Sequence, residues 1–196
     1  MVAQPKTEPK RYTAEEYLEL EFAAEFRSEF WNGQIVAMSG GSPEHSTIIV
    51  NISREVSLQL KGKPCQAFSN DTKVRTGPLT LFTYPDLSVV CGEPHFDADH
   101  RVILLNPTLI VEVLSPSTEA VDRGKKFDNY QRIESFTDYV LIAQDSPRID
   151  HYSRQSETQW LRTTVSGLES TLSLPAIGCT LALSEIYDRV EFPQQP

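Results

Sequence analysis

The sequence predicts an α/β or α+β fold in which a mixed β-sheet is flanked by helices. The first observation is a helical pattern over residues 44–60, where apolar residues recur at four-residue intervals. The second is a pair of short runs rich in β-branched and aliphatic residues, at 109–114 and 139–143, which is typical of buried strands. Because helical and strand patterns alternate along the chain, we expect the helices to cover a sheet.

Helix-capping residues, a turn dipeptide and a periodic row of apolar residues predict the first elements of the chain. Thr13 precedes two glutamates, which predicts the start of a short helix. Asn32-Gly33 lies between two apolar segments and predicts a tight hairpin. The helix over 44–60 is expected to bury one apolar stripe. That stripe consists of Ile48, Ile52, Val56 and Leu60.

Strand patterns dominate the middle of the chain. Two short strands are predicted at 66–69 and 72–75, and a longer one opens at Asp86. Residues 91–107 contain several Asp and His side chains without tight spacing, so we interpret them as a solvated loop or divergent hairpin. The strand over 109–114 follows.

The last part of the chain combines a helix with further strands. Residues 115–118 supply capping side chains and a proline, which predicts a helix over 119–133. A short closing helix is predicted from Ser184 to Tyr187. The remaining predicted strands lie at 139–143, 148–154 and 158–165.

Length and composition predict one globular domain. The chain has 196 residues, 39% of them hydrophobic, which suffices for one well-formed core. We assign residues 13–190 to this domain and the polar residues 1–12 to a flexible tail. No apolar run approaches the roughly 20 residues that span a bilayer.

The number and spacing of the cysteines indicate the redox environment of the cellular compartment. Cys65, Cys91 and Cys179 are odd in number and far apart in sequence. Their spacing indicates neither a disulfide framework nor a zinc site. A reducing, cytoplasmic location is therefore predicted.

Two carboxylates lie in strand-forming sequence. Asp86 opens one apolar run and Glu112 interrupts another. An ionised carboxylate in such a position requires an ion pair, hydrogen bonds or a metal. Two converging carboxylates suit Mg²⁺ or Mn²⁺, whose usual work is on phosphates. The pattern points to a phosphodiester-cleaving site, with a metal-free cluster paired to Lys126 as the alternative.

The helix predicted over 119–133 carries three polar side chains on one face. Asp122, Lys126 and Tyr130 recur at four-residue intervals, so they project in the same direction. Lys125 points about 100° away around the helix. We therefore prefer Lys126 as the lysine of the site.

The charge balance argues against general attraction to nucleic acid. The net charge is −9, whereas contact with a phosphate backbone requires positive charge on at least one face. Basic residues recur in part of the chain and offer a local phosphate-contacting surface, although solvated surface lysines are the simpler interpretation. They are Lys61, Lys63, Lys73, Arg75, Arg123, Lys125 and Lys126.

Five segments form a set with a recognisable order: residues 29–38, 42–45, 85–86, 112–118 and 122–130. Together they resemble the Uma-two family of restriction-endonuclease-like proteins. The resemblance implies membership of the PD-(D/E)XK nuclease superfamily, whose core is a mixed four-stranded sheet between two helices. A restriction-endonuclease-like fold with additional antiparallel strands is therefore expected.

One position departs from the superfamily pattern. That pattern puts a lysine two residues after the strand acid, where this chain has Leu114. The Uma-two pattern resembles a lysine moved to the following helix, which corresponds to Lys126 here. The resemblance thus agrees with the geometric preference for Lys126 over Lys125.

The resemblance also implies roles at the centre of the site. Asp86, Glu112 and the backbone carbonyl of Val113 would hold one or two Mg²⁺ or Mn²⁺ ions. Lys126 would orient the attacking water or neutralise charge on the phosphoryl oxygens.

Four further residues complete the predicted site. Asp122 and Tyr130 would position Lys126. By resemblance, Glu29 and His45 would border the site, although a histidine near a helix start is also common as a surface or capping residue.

The implied activity is that of a metal-dependent nuclease, with nucleic acid, DNA in the first place, as substrate. Restriction-like enzymes often act as homodimers, so a homodimer is a further expectation. Two other functions stay open, because a fold does not fix a function. One is a non-catalytic binding or regulatory module, which the acidic charge favours. The other is a hydrolase of a small phosphodiester, which requires less positive surface.

Overall fold

The computed structural model describes residues 10–38, 40–77 and 81–192. Of the predicted tail over 1–12, residues 1–9 lie outside the described residues. The backbone of residue 12 is held to the first hairpin, where the Tyr12 N–H donates to the Gly33 carbonyl at 2.9 Å. Every helix in the three described ranges is too short or too polar to span a bilayer.

Short strands make up most of the regular structure. They are β1 Ser28–Trp31, β2 Gln34–Ala37, β3 Cys65–Ser69, β4 Lys73–Thr76, β5 Leu81–Thr83, β6 Leu87–Cys91, β7 Ile103–Leu104, β8 Leu109–Leu114, β9 Asp138–Ala143, β10 Arg148–Arg154, β11 Trp160–Ser166, β12 Thr171–Leu174 and β13 Cys179–Ala182. The helices are α1 Ala14–Ala23, α2 Pro43–Leu60, α3 Glu119–Val121, a π-helical turn Asp122–Lys126, α4 Phe127–Tyr130, a 3₁₀ turn Pro175–Ile177 and α5 Leu183–Ile186.

The central sheet has the order β11-β10-β9-β8-β6-β3. It is mixed, because β8 and β9 are parallel while β6 and β8 are antiparallel. Alternate residues of β8 contact opposite layers, as the pleat of a strand requires. Val111 packs in the core cluster that contains the α2 stripe, whereas Ile110 packs in the cluster that contains Tyr130. The sheet therefore lies between α2 and the helical segment 119–130, which confirms the predicted fold class.

A second sheet, ordered β2-β1-β5-β4-β7, carries α1. The predicted hairpin joins β1 to β2 through Asn32 and Gly33, whose φ angles are 43° and 93°. Positive φ at both positions is what a tight turn of this kind requires, and Asn-Gly tolerates it. Phe30 of β1 packs under α1, so its neighbour Glu29 faces the other side of the strand.

The predicted elements agree with the structure in most places. The helix proposed over 44–60 is α2, and its whole apolar stripe is buried. The single helix predicted over 119–133 is wrong, because the segment is divided by the π-helical turn and ends at Tyr130. The cap at Ser184 is also wrong, since α5 begins at Leu183. The proposed loop over 91–107 contains the short strand β7, which pairs in parallel with β4.

The prediction that no disulfide forms is wrong for Cys65 and Cys91, which are bonded to each other. They are 26 residues apart in sequence, yet the antiparallel register of β3 and β6 sets them directly opposite. Sequence spacing does not reveal such a pairing. Cys179 is a buried free thiol. Because disulfides are rare in cytosolic proteins, the cysteines no longer support a cytoplasmic location.

Candidate functional site

Strand pairing brings Asp86 and Glu112 together. In the antiparallel register of β6 and β8, Leu87 lies opposite Val111, and one further step sets Asp86 opposite Glu112. Cross-strand neighbours share one face of a sheet. The Asp86 carboxylate Oδ2 accepts a hydrogen bond of 2.7 Å from the Val113 N–H, which fixes the aspartate against the end of β8.

Glu112 lies on the face of β8 that the helical segment covers. Its Oε1 accepts hydrogen bonds of 3.0 Å from the Lys126 amine and 3.0 Å from the Tyr130 hydroxyl. The Tyr130 oxygen also lies 2.8 Å from Thr83 Oγ1. Tyr130 was predicted to position Lys126, but within the described residues its hydroxyl contacts Glu112 and Thr83 instead.

The Lys126 amine is surrounded by carboxylates. Its Nζ lies 2.9 Å from Asp122 Oδ1, 3.0 Å from Glu112 Oε1 and 3.5 Å from Glu29 Oε1. Burial opposes the charge on Lys126, but Glu112, Glu29 and Asp122 keep its pKa well above the ordinary lysine value. Lys126 is therefore a buried ammonium.

The π-helical turn sets the position of this lysine. Asp122 and Lys126 are the first and last residues of the turn, and both are buried. The Tyr139 hydroxyl of β9 donates to the Asp122 carbonyl at 3.1 Å and ties the turn to the central sheet. π-Turns inside α-helices occur frequently at functional sites.

His45 approaches the site from the first turn of α2. Its Nε2 lies 3.6 Å from Asp86 Oδ2, and 17% of its side chain is exposed. The residue is held in place because its N–H donates to the Ser42 N-cap hydroxyl. A side chain at Gly41 would collide with the imidazole, since a Cβ built there lies 2.6 Å from His45 Nδ1. No local sequence pattern indicates this role of Gly41.

These side chains line a cavity of about 310 Å³, here called the inner cavity. Its wall holds one lysine, Lys126, and four carboxylates, those of Glu29, Asp86, Glu112 and Asp122. Burial raises the pKa of Glu112 well above its ordinary value; Lys126 opposes this shift, and the other three carboxylates add to it. The cavity therefore holds more acidic groups than its single lysine can neutralise.

The pKa of Asp86 is shifted in the same direction as that of Glu112. Burial raises the pKa of Asp86 above its ordinary value, although His45 and the Val113 N–H favour the charged form. Asp122 adds an orphaned oxygen, because its buried Oδ1 makes no hydrogen bond within the described residues and meets the Lys126 amine only as an ion pair.

The donor chemistry suits a hard cation. Mg²⁺ prefers oxygen ligands, is often bound through one or two carboxylates and keeps several waters. Burial and neighbouring carboxylates raise the pKa values of Asp86 and Glu112, although Lys126 favours the charged form of both. Among the described residues no group of three or more His, Cys, Asp or Glu side chains is arranged to hold a metal. A cation would therefore depend on two carboxylates, backbone oxygen and solvent.

The structure brings the predicted site residues to one place. Asp86, Glu112, Lys126, Asp122, Glu29, His45 and Val113 all line the inner cavity. Tyr130 lies behind Glu112 and is fully buried.

The predicted basic surface does not form as one patch. Lys73 and Lys126 are buried, Arg75 pairs with Asp97, and Arg123 pairs with Glu119 and Asp150. Most of the proposed phosphate-contacting residues are thus engaged within the protein.

Two related proteins come from Synechocystis sp., and both carry the name "Uncharacterized protein". One is 36% identical over 193 residues, which is 98% of this chain and 100% of the relative. The other is 35% identical over 158 residues, 81% of this chain and 89% of the relative.

A solved structure from Anabaena variabilis has a similar fold. It is described as "a putative nuclease belonging to DUF820", and it superposes with a TM-score of 0.73 at 19% sequence identity. The match covers 90% of this chain and 97% of that chain. At this identity the likeness concerns the fold alone.

The family comparison confirms the resemblance found in the sequence. Residues 14–184 match the sequence profile of the family Uma2, whose description is "Putative restriction endonuclease". The match spans most of the 196-residue chain. The chain belongs to the Uma2 family of restriction-endonuclease-like proteins.

Proposed function

We propose that this protein is a Mg²⁺- or Mn²⁺-dependent nuclease that hydrolyses phosphodiester bonds of nucleic acid. The observation that carries the proposal is the excess of acidic groups in the inner cavity, where three buried carboxyl groups and the partly buried Asp86 face one lysine. An excess of buried carboxylates is unfavourable unless a further cation binds or some of them are protonated. The family description supports the same reaction class.

The residues of the inner cavity would have different roles, according to their surroundings. Asp86 and Glu112, with a backbone oxygen of Val113, would hold the cation, which would supply Lewis acidity to the scissile phosphate. The Val113 N–H orients Asp86, and the Tyr130 hydroxyl orients Glu112.

Lys126 would act as the fixed positive charge of the site. Its amine is buried and its pKa is raised, so it stays protonated at neutral pH. A preorganised ammonium near a reacting phosphate stabilises the charge that develops on the phosphoryl oxygens. Asp122 and Glu29 hold the amine at the cavity wall.

The test is cleavage of labelled single- and double-stranded DNA and RNA with Mg²⁺, with Mn²⁺ or with EDTA. We expect metal-dependent cleavage that Asp86→Asn abolishes. The asparagine retains an oxygen that can accept the Val113 hydrogen bond, so the fold should survive. Asp99→Asn is the matched control, because Asp99 is exposed in the 91–107 segment. Cleavage that persists at wild-type rate in Asp86→Asn would refute the site.

The net charge of −9 favours a second candidate, a hydrolase of a small phosphodiester. Such a substrate has far less backbone charge to attract than nucleic acid does. Metal-dependent hydrolysis of bis(p-nitrophenyl) phosphate and of cyclic or linear dinucleotides, without cleavage of any polymer, would identify this function. If the protein binds Mg²⁺ and hydrolyses none of these substrates, the non-catalytic binding module is the correct interpretation.

A further inference from the structure

A second cavity adjoins the inner cavity at Lys126. It has a volume of about 470 Å³ and is called here the outer cavity. Glu29, Asp122 and Lys126 line both cavities, so the two share a wall at the lysine. The side chains that belong to the outer cavity alone are of a different kind. They include Arg11, Trp31, Gln34, Lys125 and Asn129.

Trp31 provides an aromatic surface in this cavity. It is the last residue of β1, immediately before the Asn32-Gly33 turn, and it is paired on both sides, with Gln34 and with Leu81. The side chain is half-buried and packs against the core cluster that contains Tyr130. Its indole is therefore held by the sheet and by the core while part of it faces the cavity.

Arg11 and Lys125 provide positive charge. Both are exposed, and within the described residues neither forms an ion pair with a carboxylate. Arg11 is held near the hairpin turn because its Nη1 donates to the Asn32 carbonyl at 3.4 Å. These two cations contrast with Arg75 and Arg123, which are neutralised by aspartates.

We propose that the outer cavity binds one unpaired nucleotide of the substrate, with its base against Trp31 and its phosphate between Arg11 and Lys125. An aromatic face together with unpaired cations is how proteins hold single-stranded nucleic acid without sequence preference. A base inside a duplex has no free face for such stacking, so the nucleotide must be single-stranded, frayed or extruded.

This inference rests on the proposed function, because it supplies the substrate that the inner cavity would cut. The shared wall places the nucleotide directly beside Lys126. The enzyme should accordingly prefer single strands or duplex ends over a continuous duplex. The same arrangement explains how a chain of net charge −9 can hold a polyanion: only a small local patch needs to be positive.

Intrinsic fluorescence gives a direct test. The chain has two tryptophans, Trp31 and Trp160, and the buried Trp160 Nε1 has no hydrogen-bond partner within the described residues. Trp160→Phe should therefore be tolerated, and it leaves Trp31 as the sole indole. In EDTA, a short oligothymidylate should quench the fluorescence of this variant, and a blunt hairpin duplex should quench it much less.

Binding of a fluorescein-labelled oligothymidylate, followed by anisotropy in EDTA, tests the residues one at a time. Trp31→Leu keeps apolar bulk but removes the aromatic face, so it should weaken binding by about tenfold or more. Lys125→Ala should weaken binding and lower the slope of log affinity against log salt by about 1. Lys61→Ala is the matched control, since Lys61 is exposed at the end of α2 and lies outside both cavities.

The outcomes separate this inference from the proposed nuclease activity. Wild-type affinity in Trp31→Leu, no quenching by the single strand, or equal quenching by strand and duplex would each overturn the nucleotide site. If Trp31-dependent binding is found but no metal promotes cleavage, the nucleotide site stands and the nuclease proposal fails. If cleavage occurs and Trp31→Leu binds and cuts like the wild type, the nuclease stands and the site is elsewhere.

Discussion

Two buried lysines in this protein have opposite surroundings. Lys73 on β4 is fully buried between aromatic rings, with its Nζ 4.4 Å from the Tyr17 ring centroid and 4.6 Å from that of Tyr84. Its nearest carboxylate is Glu21, at 3.3 Å. Burial lowers the pKa of Lys73 to about 8, although Glu21 favours the charged form.

Lys126 is buried to a similar degree but meets several carboxylates rather than one. Its pKa is raised in spite of burial, because Glu112, Glu29 and Asp122 outweigh the loss of solvation. It also lines a cavity, whereas Lys73 lines none of those described.

The difference shows that burial of a lysine does not by itself indicate a functional site. Around Lys73 one carboxylate, hydroxyl groups and aromatic rings surround one ammonium. No unbalanced charge remains there to favour a ligand. Around Lys126 the carboxylates exceed the ammonium, so a further cation would lower the energy of the site. An excess of acidic groups facing a cavity is the feature that supports a functional site at Lys126 rather than at Lys73.

The largest expected effect concerns the stability provided by Lys73. Lys73→Met should lower the free energy of unfolding by about 3 kcal/mol, since it leaves Glu21 buried without its cation. Urea denaturation measures this loss. The double variant Lys73→Met/Glu21→Gln should recover much of it, and a double variant as unstable as the single one would show that the pair is not the cause.

The next effect concerns catalysis by Lys126. Lys126→Ala should reduce metal-dependent cleavage by about 10²-fold or more, because it removes the fixed charge near the phosphoryl oxygens. Metal should still bind without substrate, because Asp86 and Glu112 remain. Lys125→Ala removes the same charge from the outer cavity and should lower the rate only modestly. Equal losses in the two variants would show that Lys126 has no special role.

Metal binding should stabilise the fold by a similar or smaller amount. At a Mg²⁺ or Mn²⁺ concentration 100 times the dissociation constant, the free energy of unfolding should rise by about 2.7 kcal/mol. Glu112→Gln should remove this increase, whereas Lys73→Met should retain it from its lower starting point. Thermal unfolding with and without EDTA measures both. An identical metal-induced shift in Glu112→Gln and wild type would place the cation elsewhere.

The smallest effect is a pH dependence of the metal-free protein. Because the pKa of Glu112 is raised by burial from an ordinary value of 4.5, the folded state binds a proton more tightly than the unfolded state does. Its contribution is complete below about pH 4.5 and is lost as pH rises through the folded pKa. Stability in EDTA should fall across this range by at most about 1.4 kcal/mol per pH unit.

Glu112→Gln isolates that dependence. The variant cannot titrate at this position, so its stability should decline less with rising pH than that of the wild type. The two curves of stability against pH should therefore differ in slope above pH 4.5. Parallel curves would mean that Glu112 stays ionised in the metal-free protein.

Local sequence rules predicted the elements whose signals are complete within a few residues. Thr13 caps α1 with a reciprocal bond from Glu16, the Asn32-Gly33 turn forms, and the stripe of α2 is buried. The central residues Asp86, Glu112 and Lys126 were also found from sequence, because an acid in an apolar strand and a lysine in helical register with Asp122 are visible without a structure. The catalytic roles given to them stay predictions.

Other features depend on partners that are distant in sequence. The Cys65–Cys91 bond depends on the register of β3 against β6. The hairpin of β12 and β13 was missed because a 3₁₀ turn, and not a two-residue Asn-Gly turn, joins its short strands. Thr83, which contacts Tyr130, lies in a three-residue strand that has no signal of its own. The domain boundaries and the homodimer likewise stay predictions.

The π-helical turn at Asp122–Lys126 has a consequence for how relatives should be aligned. A π-turn holds one residue more than the α-helical turn that it replaces, and Gly124 at its middle has open space beside its Cα. A homologue that lacks one residue here can form a continuous α-helix, in which side chains three residues apart still share a face. A single-residue gap between the positions of Asp122 and Lys126 should therefore be aligned as the loss of the π-turn, with the lysine after the gap as the counterpart of Lys126.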